Sequence, residues 1–318
     1  MKLKFLLLFA ALYSCLTVFA QSGNYKNQIG FRTDNDGLLA RGSDRYYTAG
    51  NFFNFRHALK LKDSASLKNK VLGIELGQKI YTPQSAFISG PAYIDRPFAG
   101  YLYLGTSLNL LYKNESNLKL EAQLGVVGPN SFAEQVQYLI HSTFHFYKPG
   151  GWQYQVQNDY EINLSAQYNF LAIRRHGFDI SVNSYADLGT GITGAGGGFT
   201  ARFGKFNPLF NSVTTGSSVS AYKSASSAKT EAFVYAKPYI SFIAYDATIQ
   251  GSLFSSTLGL NEYPTDKVPV VLSEQFGGSL VTGHWLLDLS ATYQTRTTPK
   301  MVHRPGHQWG SVNLAYRF

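Results

Sequence analysis

The sequence predicts an all-β transmembrane antiparallel barrel of about twelve strands, with a short helix in an outward loop. Three observations predict it. Apolar and polar residues alternate with period 2 in segment after segment, as in Leu118-Lys119-Leu120-Glu121-Ala122-Gln123-Leu124. The last stretch, Ser311 to Phe318, puts Val312, Leu314, Tyr316 and Phe318 on one face. Past the N-terminal leader there is no apolar run of the roughly 18 residues that a membrane helix needs.

The leader has Lys2 and Lys4, an apolar run from Phe5 to Phe19, and Ala20 before Gln21. This is the pattern of a secretory signal peptide over residues 1–20, leaving residues 21–318 as the barrel domain. Leu12-Tyr13-Ser14-Cys15 fits a lipoprotein box poorly, because Tyr13 stands where such boxes take small residues. Cleavage after Ala20 removes Cys15, the single cysteine, and with it any disulfide, thiolate nucleophile or cysteine–metal site. Of 28 basic residues, loss of Lys2 and Lys4 leaves 26 against 19 acidic, a net charge of about +7. An exported basic protein suits lipopolysaccharide or phospholipid head groups, and nothing in the chain resembles a nucleic-acid module.

Alternating strands fit either a soluble sandwich or a membrane barrel. The C-terminal strand decides for the barrel: it ends on Phe318 with Tyr316 two residues earlier, like the assembly signal of outer-membrane barrels. Charged residues at 15% and aromatics at 15% agree with a lipid-facing wall. In order, strands are expected over 25–33, 47–61, 71–81, 98–113, 118–127, 161–173, 178–188, 199–203, 233–245, 268–281, 285–296 and 307–318. Twelve is even, as single-chain bacterial barrels require. With both termini periplasmic, the short links at 114–117, 174–177 and 283–284 are periplasmic turns. The long links holding 34–46, 82–97 and 128–160 then face outward. One link breaks the pattern: 205–230 is long yet falls on the periplasmic side, which means a miscount nearby or a disordered loop. Pro238 and Pro269 also sit badly inside strands.

The stretch Glu134 to Trp152 reads as helix, with Glu134, Gln137 and His141 on one face. A histidine above a barrel rim beside Gln137 suggests a general base; the plainer reading is a structural histidine. His141 and His145 have the i, i+4 spacing of zinc pairs, but the motif lacks the HExxH glutamate and a third ligand. Asp34-Asn35-Asp36 ends the first strand, and continued alternation turns Asp34 and Asp36 to the lumen. Its oxygens suit calcium, although polar turns have the same composition. Thr48, across the first hairpin, can add a ligand oxygen or belong to a surface loop with Tyr46 and Tyr47 at the interface. Gly189-x-Gly191-x-x-Gly194 opens no helix, so it is a barrel bend or loop and not a nucleotide site.

Together these stretches resemble the outer-membrane lipid A 3'-O-deacylase family, calcium-dependent twelve-stranded barrels. The resemblance rests on Asn35-Asp36, Asp44 with Tyr47-Thr48-Ala49-Gly50, the run Arg96 to Tyr103, Gly125 to Pro129, Gln137 with His141, and Gly151-Trp152 with Gln155. It implies that Asn35, Asp36 and Thr48 hold calcium, that Gln137 and His141 are active-site residues with His141 as base, and that Arg96 contacts lipid phosphate or sugar. The implied substrate is lipid A of lipopolysaccharide, at its 3'-acyloxyacyl ester. Some relatives carry a glutamate six residues after the histidine, where this chain has Tyr147. Another outer-membrane lipase such as a phospholipase, a porin-like or structural barrel, and a barrel that binds lipid A without cleaving it are the alternatives.

Overall fold

The computed structural model describes residues 25–39, 44–61, 66–222, 230–254, 261–303 and 305–318. The expected signal peptide lies outside them. Twelve strands form one closed antiparallel barrel in which each pairs with its sequence neighbour and β1 pairs with β12. They are β1 (Asn27–Asn35), β2 (Tyr46–Ala58), β3 (Leu67–Thr82), β4 (Ala99–Tyr112), β5 (Ser116–Val127) and β6 (Asp159–Arg175), followed by β7 (Phe178–Gly189), β8 (Ile192–Lys205), β9 (Thr230–Asp246), β10 (Val270–Thr282), β11 (Trp285–Gln294) and β12 (His307–Arg317). Two helices lie outside the wall strands, α1 (Ala133–Phe144) and the single turn α2 (Ala247–Gln250).

Alternation sorts every strand into two faces. Ile29, Phe31, Phe53, Phe55, Leu104 and Leu124 stand exposed, while their neighbours Arg32, Asn54 and Gln123 turn inward. So large an apolar band is tolerable only against lipid. Strands of nine to seventeen residues are long enough to cross the hydrocarbon core.

The eighth strand is longer than the sequence suggested. Gly194, the end of the expected bend or loop, and the glycines up to Gly198 that precede the expected strand belong to β8. Glycine is required where a neighbouring ring fills the Cβ position: a Cβ on Gly196 would come within 2.5 Å of the Tyr185 ring. Pro238 does sit within β9, and its cost is visible. The β8–β9 ladder pairs Gly198 with Tyr239 and next Ala201 with Ala236, skipping the positions opposite the proline. Pro269 lies just before β10.

The strand count stands, so the long link after β8 lies at the same end as both termini, the end expected to be periplasmic, but residues 206–222 are not a disordered loop. They fold into two 3-10 turns, Leu209–Asn211 and Val213–Thr215, that plug this end of the barrel. Buried wall residues hold the plug's backbone. Asn69 donates to the carbonyls of Phe210 and Val219, and Asn109 donates to that of Thr215. Glu231 accepts from Asn207 N (2.9 Å), Ser212 Oγ (2.7 Å) and Val213 N (3.0 Å). Arg202, fully buried and bidentate to Asp179, donates to Ser212 Oγ as well. Above the plug the lumen holds two cavities of about 680 and 290 Å³.

A plugged lumen should not conduct, and planar-bilayer recordings of the parent protein should be silent. Glu231→Ala strips the acceptor from three plug donors, each bond to a charged group being worth about 1.5–3 kcal/mol. The fast-migrating folded form on gels should therefore convert to the slow form at a lower temperature, and channel openings should appear. An unchanged conversion temperature with silent bilayers would mean that Glu231 does not secure the plug.

Candidate active site

α1 lies on the outside of the barrel wall. Its N-terminus sits on Gly100 of β4, where a Cβ would meet Ser131 Oγ at 1.9 Å and Ala133 Cβ at 2.3 Å. The absent side chain is what allows this approach. Gln78 of β3 donates to the Ser131 carbonyl at 2.7 Å. Beneath the helix, Ala49, Ile80, Phe98 and Trp152 form a small buried core. Ala49 and Ile80 share strand parity with the exposed Phe53 and Leu76, so the helix covers the upper end of the lipid-facing wall.

The buried positions of α1 are Ala133, Gln137 and His141, at i, i+4 and i+8. Glu134, expected on this stripe, is only partly covered. Gln137 accepts from Trp152 Nε1 at 2.8 Å through Oε1, and its amide nitrogen is buried without a partner. The helix ends at His145, whose left-handed backbone (φ 58°) turns the chain back toward His141. His145 itself is exposed. The reversal brings the Tyr147 carbonyl to His141 Nδ1 at 2.5 Å. A carbonyl only accepts, so Nδ1 carries the proton and Nε2 is the basic nitrogen. Nε2 lies 2.8 Å from Asp44 Oδ2, which also accepts from the Tyr147 hydroxyl at 2.5 Å.

Asp44 joins the histidine to a cluster of oxygens. Thr48 occupies a register shift between Tyr47 and Ala49, a bulge that re-aims its side chain out of the regular alternation. Its hydroxyl is 3.2 Å from Asp36 Oδ2 and 3.4 Å from Asp44 Oδ1. Asp36 Oδ2 also accepts from Arg45 N at 2.9 Å, while Oδ1 is buried with no partner. Burial above all, with the Asp44 charge behind it, pushes the Asp36 carboxyl up to about 8 despite those bonds. Asn35 is adjacent, and its Oδ1 accepts from Gly37 N at 2.7 Å, forming the turn that presents Asp36.

The expectation that Asp34 and Asp36 both face the lumen holds for Asp34 alone. Asp34 lines the larger cavity and accepts from Tyr47 at 2.7 Å. β1 ends at Asn35 and a 3-10 turn begins at Asp36, so strand alternation no longer governs the second carboxylate. Thus the structure brings together Asp36, Thr48 and His141, with Asn35 and Gln137 beside them. It does not bring Arg96. That residue lines the luminal cavity, stacks 4.0 Å over the Tyr81 ring and donates to Thr248 Oγ1 at 2.9 Å. Asp44 and Tyr147 are the members that residue patterns did not single out: Asp44 stood only as part of a motif, and nothing local says that it meets a residue 103 positions away.

All oxygens of the cluster are hard donors, and Asp36 Oδ1 and Thr48 Oγ1 could hold a cation with Asn35 alongside. Among the described residues no three His, Cys, Asp or Glu side chains converge on one point, so such a site depends on the hydroxyl and amide oxygens.

Comparison with known proteins agrees with this architecture. The sequence model of the family described as "Outer membrane protein LpxR" matches residues 5–318. No curated protein matches the sequence. Among solved structures, LpxR from Salmonella typhimurium superposes with a TM-score of 0.72 at 22% identity, over 92% of this chain and 100% of that one. The β domain of the Bordetella autotransporter BrkA gives a TM-score of 0.45 at 10% identity, over 92% and 100% of the two chains. The translocator domain of NalP from Neisseria meningitidis gives 0.43 at 11%, over 97% and 92%. The match across nearly the whole sequence, on a twelve-stranded barrel of the same fold as the Salmonella protein, makes this chain a member of the LpxR family of outer membrane proteins.

Proposed function

We propose that the protein is a calcium-dependent lipid A deacylase that hydrolyses the 3'-acyloxyacyl ester, with His141 as the base. What carries the reading is a buried histidine of fixed tautomer, its basic nitrogen turned to an oxygen cluster, on the outer face of the wall. A lipid of the outer leaflet reaches that face directly. His141 Nε2 takes a proton from water, the resulting hydroxide oxygen bonds to the ester carbonyl carbon, and the C–O bond to the sugar breaks. The proton passes from Nε2 to the departing sugar oxygen. Gln137 Nε2, a buried donor without a partner, is suited to orient the water or the carbonyl. Asp36, Thr48 and Asn35 would hold the calcium, which would supply positive charge to stabilise the negative charge of ester hydrolysis. The oxygen donors and the orphaned Asp36 Oδ1 favour a hard cation.

His141→Ala should lower acyl release by about 10²–10⁴-fold with folding intact, since a general base contributes that much. His145→Ala should cost far less. Mass spectrometry of lipid A from cells carrying each variant measures both, and near-parental turnover by His141→Ala would reject the base.

Chelation should abolish activity, calcium but not zinc should restore it, and Asp36→Ala should fold yet not respond to calcium. Full turnover in chelator would remove the metal from the scheme.

The Asp36 carboxyl also sets a pH dependence. Without a cation it keeps its proton up to about pH 8, so protons and calcium compete below that point. Calcium affinity, measured by calorimetry in detergent, should fall as pH drops from 8 to 6, by up to about tenfold per unit. The raised value also means that the cation-free fold binds a proton the unfolded chain releases, so its stability declines as pH rises toward 8. A flat calcium affinity across this range would contradict Asp36 as a ligand.

A further inference from the structure

The segment that follows α1 closes around the imidazole in a way that the base role alone does not require. Tyr147 makes two contacts of opposite kind to one catalytic unit. Its carbonyl accepts from His141 Nδ1 at 2.5 Å, and its hydroxyl donates to Asp44 Oδ2 at 2.5 Å. Its ring stands perpendicular to the imidazole at 4.8 Å between centroids. The residue is 42% exposed, yet the hydroxyl is engaged by a carboxylate. A tyrosine at a membrane rim ordinarily does the reverse, with the apolar ring covered and the polar tip wet. Burial and Asp44 push its phenol up from the ordinary value, so it remains a donor throughout the working range.

Asp44 is fixed from its other side as well. Its backbone carbonyl accepts from Thr82 Oγ1 at 3.2 Å, and Oδ1 lies 3.4 Å from the Thr48 hydroxyl. Nε2, the nitrogen that takes the proton, lies 2.8 Å from Asp44 Oδ2, so the carboxylate stands ready to accept from it once the proton has arrived. The Tyr147 hydroxyl donates to the same oxygen, which holds the carboxylate in place beside the ring.

We propose that Asp44 and Tyr147 are positioning residues for His141: Asp44 ties the imidazole to the oxygen cluster, and Tyr147 clamps both the ring and the carboxylate in one rotamer and one tautomer. The proposal rests on His141 acting as the base. The proton path is unchanged: water to Nε2, then Nε2 to the leaving oxygen, with Asp44 and Tyr147 keeping their own protonation states throughout.

The test uses full-length protein in detergent micelles, with Tyr147→Phe and Asp44→Asn, and folded material scored by heat-modifiable migration. At fixed pH, ¹⁵N spectra of labelled histidine should give a protonated Nδ1 for His141 in the parent and in Tyr147→Phe, which keeps the carbonyl. The Nε2 signal should move in Tyr147→Phe and move further in Asp44→Asn. Turnover of lipid A in mixed micelles should fall about 10-fold in Tyr147→Phe and about 10²-fold in Asp44→Asn, with KM within about twofold of the parent. An Nε2 signal unmoved by either variant would overturn the positioning role, as would a raised KM at parental kcat, which would make these residues substrate contacts. Should Asp44→Asn fail to fold, Tyr147→Phe decides alone by the same two readouts. If the parent itself releases nothing from lipid A, the deacylase reading fails, while the ¹⁵N spectra still decide whether Asp44 and Tyr147 hold the ring.

Discussion

Inside a bilayer no water is available to a backbone N–H or C=O, and the pairing of β1 with β12 is how this chain meets that constraint. Closure leaves no edge strand and fixes which side of the wall each residue faces. It also fixes which links face outward, because an even number of strands returns the chain to the side it started from. The lipid-facing band, the polar lumen and the grouping of α1 with the first hairpin at the outer rim all follow from that one ladder.

What closure does not dictate is a polar site on the lipid side. The wall there should be apolar, and below α1 it is, with Phe53, Phe55 and Leu76 exposed. At the rim the helix takes the place of lipid. Gly100 lets it approach, a small apolar core seats it, and Gln137 and His141 are buried between helix and wall. A buried imidazole and two carboxylates within hydrogen-bonding reach of one threonine are costly unless each is paired, and the pairing here is nearly complete. The atoms left over, Asp36 Oδ1 and Gln137 Nε2, mark where a cation and a substrate group would contribute most.

Much of this was legible in the sequence because a strand's periodicity is a local property. Eleven strands lay close to their expected positions, and Gln137 with His141 was visible as a polar stripe on a helix. The first half of β8 was hidden because it is mostly glycine, which gives a hydropathy pattern nothing to register. The fate of Asp36 was misread because parity was extended one residue past the end of the strand. Asp44 and Tyr147 were missed as partners for a different reason: their bond depends on a left-handed His145 and on two loops meeting in space, and neither leaves a trace in spacing. Tyr147 read from sequence alone was a departure from a family pattern; in the fold it serves His141 with its backbone carbonyl, which substitution of the side chain leaves in place.

The plug carries a consequence for how the molecule is made. Its residues lie between β8 and β9, but the groups that grip Ser218 are Gln28 at the start of β1 and Arg317 at the end of β12. Those two strands meet only when the sheet has curled round on itself. The plug therefore cannot be fully seated on a growing, open sheet; its last contacts form when the first and last strands join. Until then Ser218 lacks both of these partners, although Glu231 and Arg202 on the adjoining strands can already hold the first part of the segment. Closing the wall and stopping the periplasmic mouth are in this sense one event, and a barrel trapped before that event would be leaky as well as unfinished.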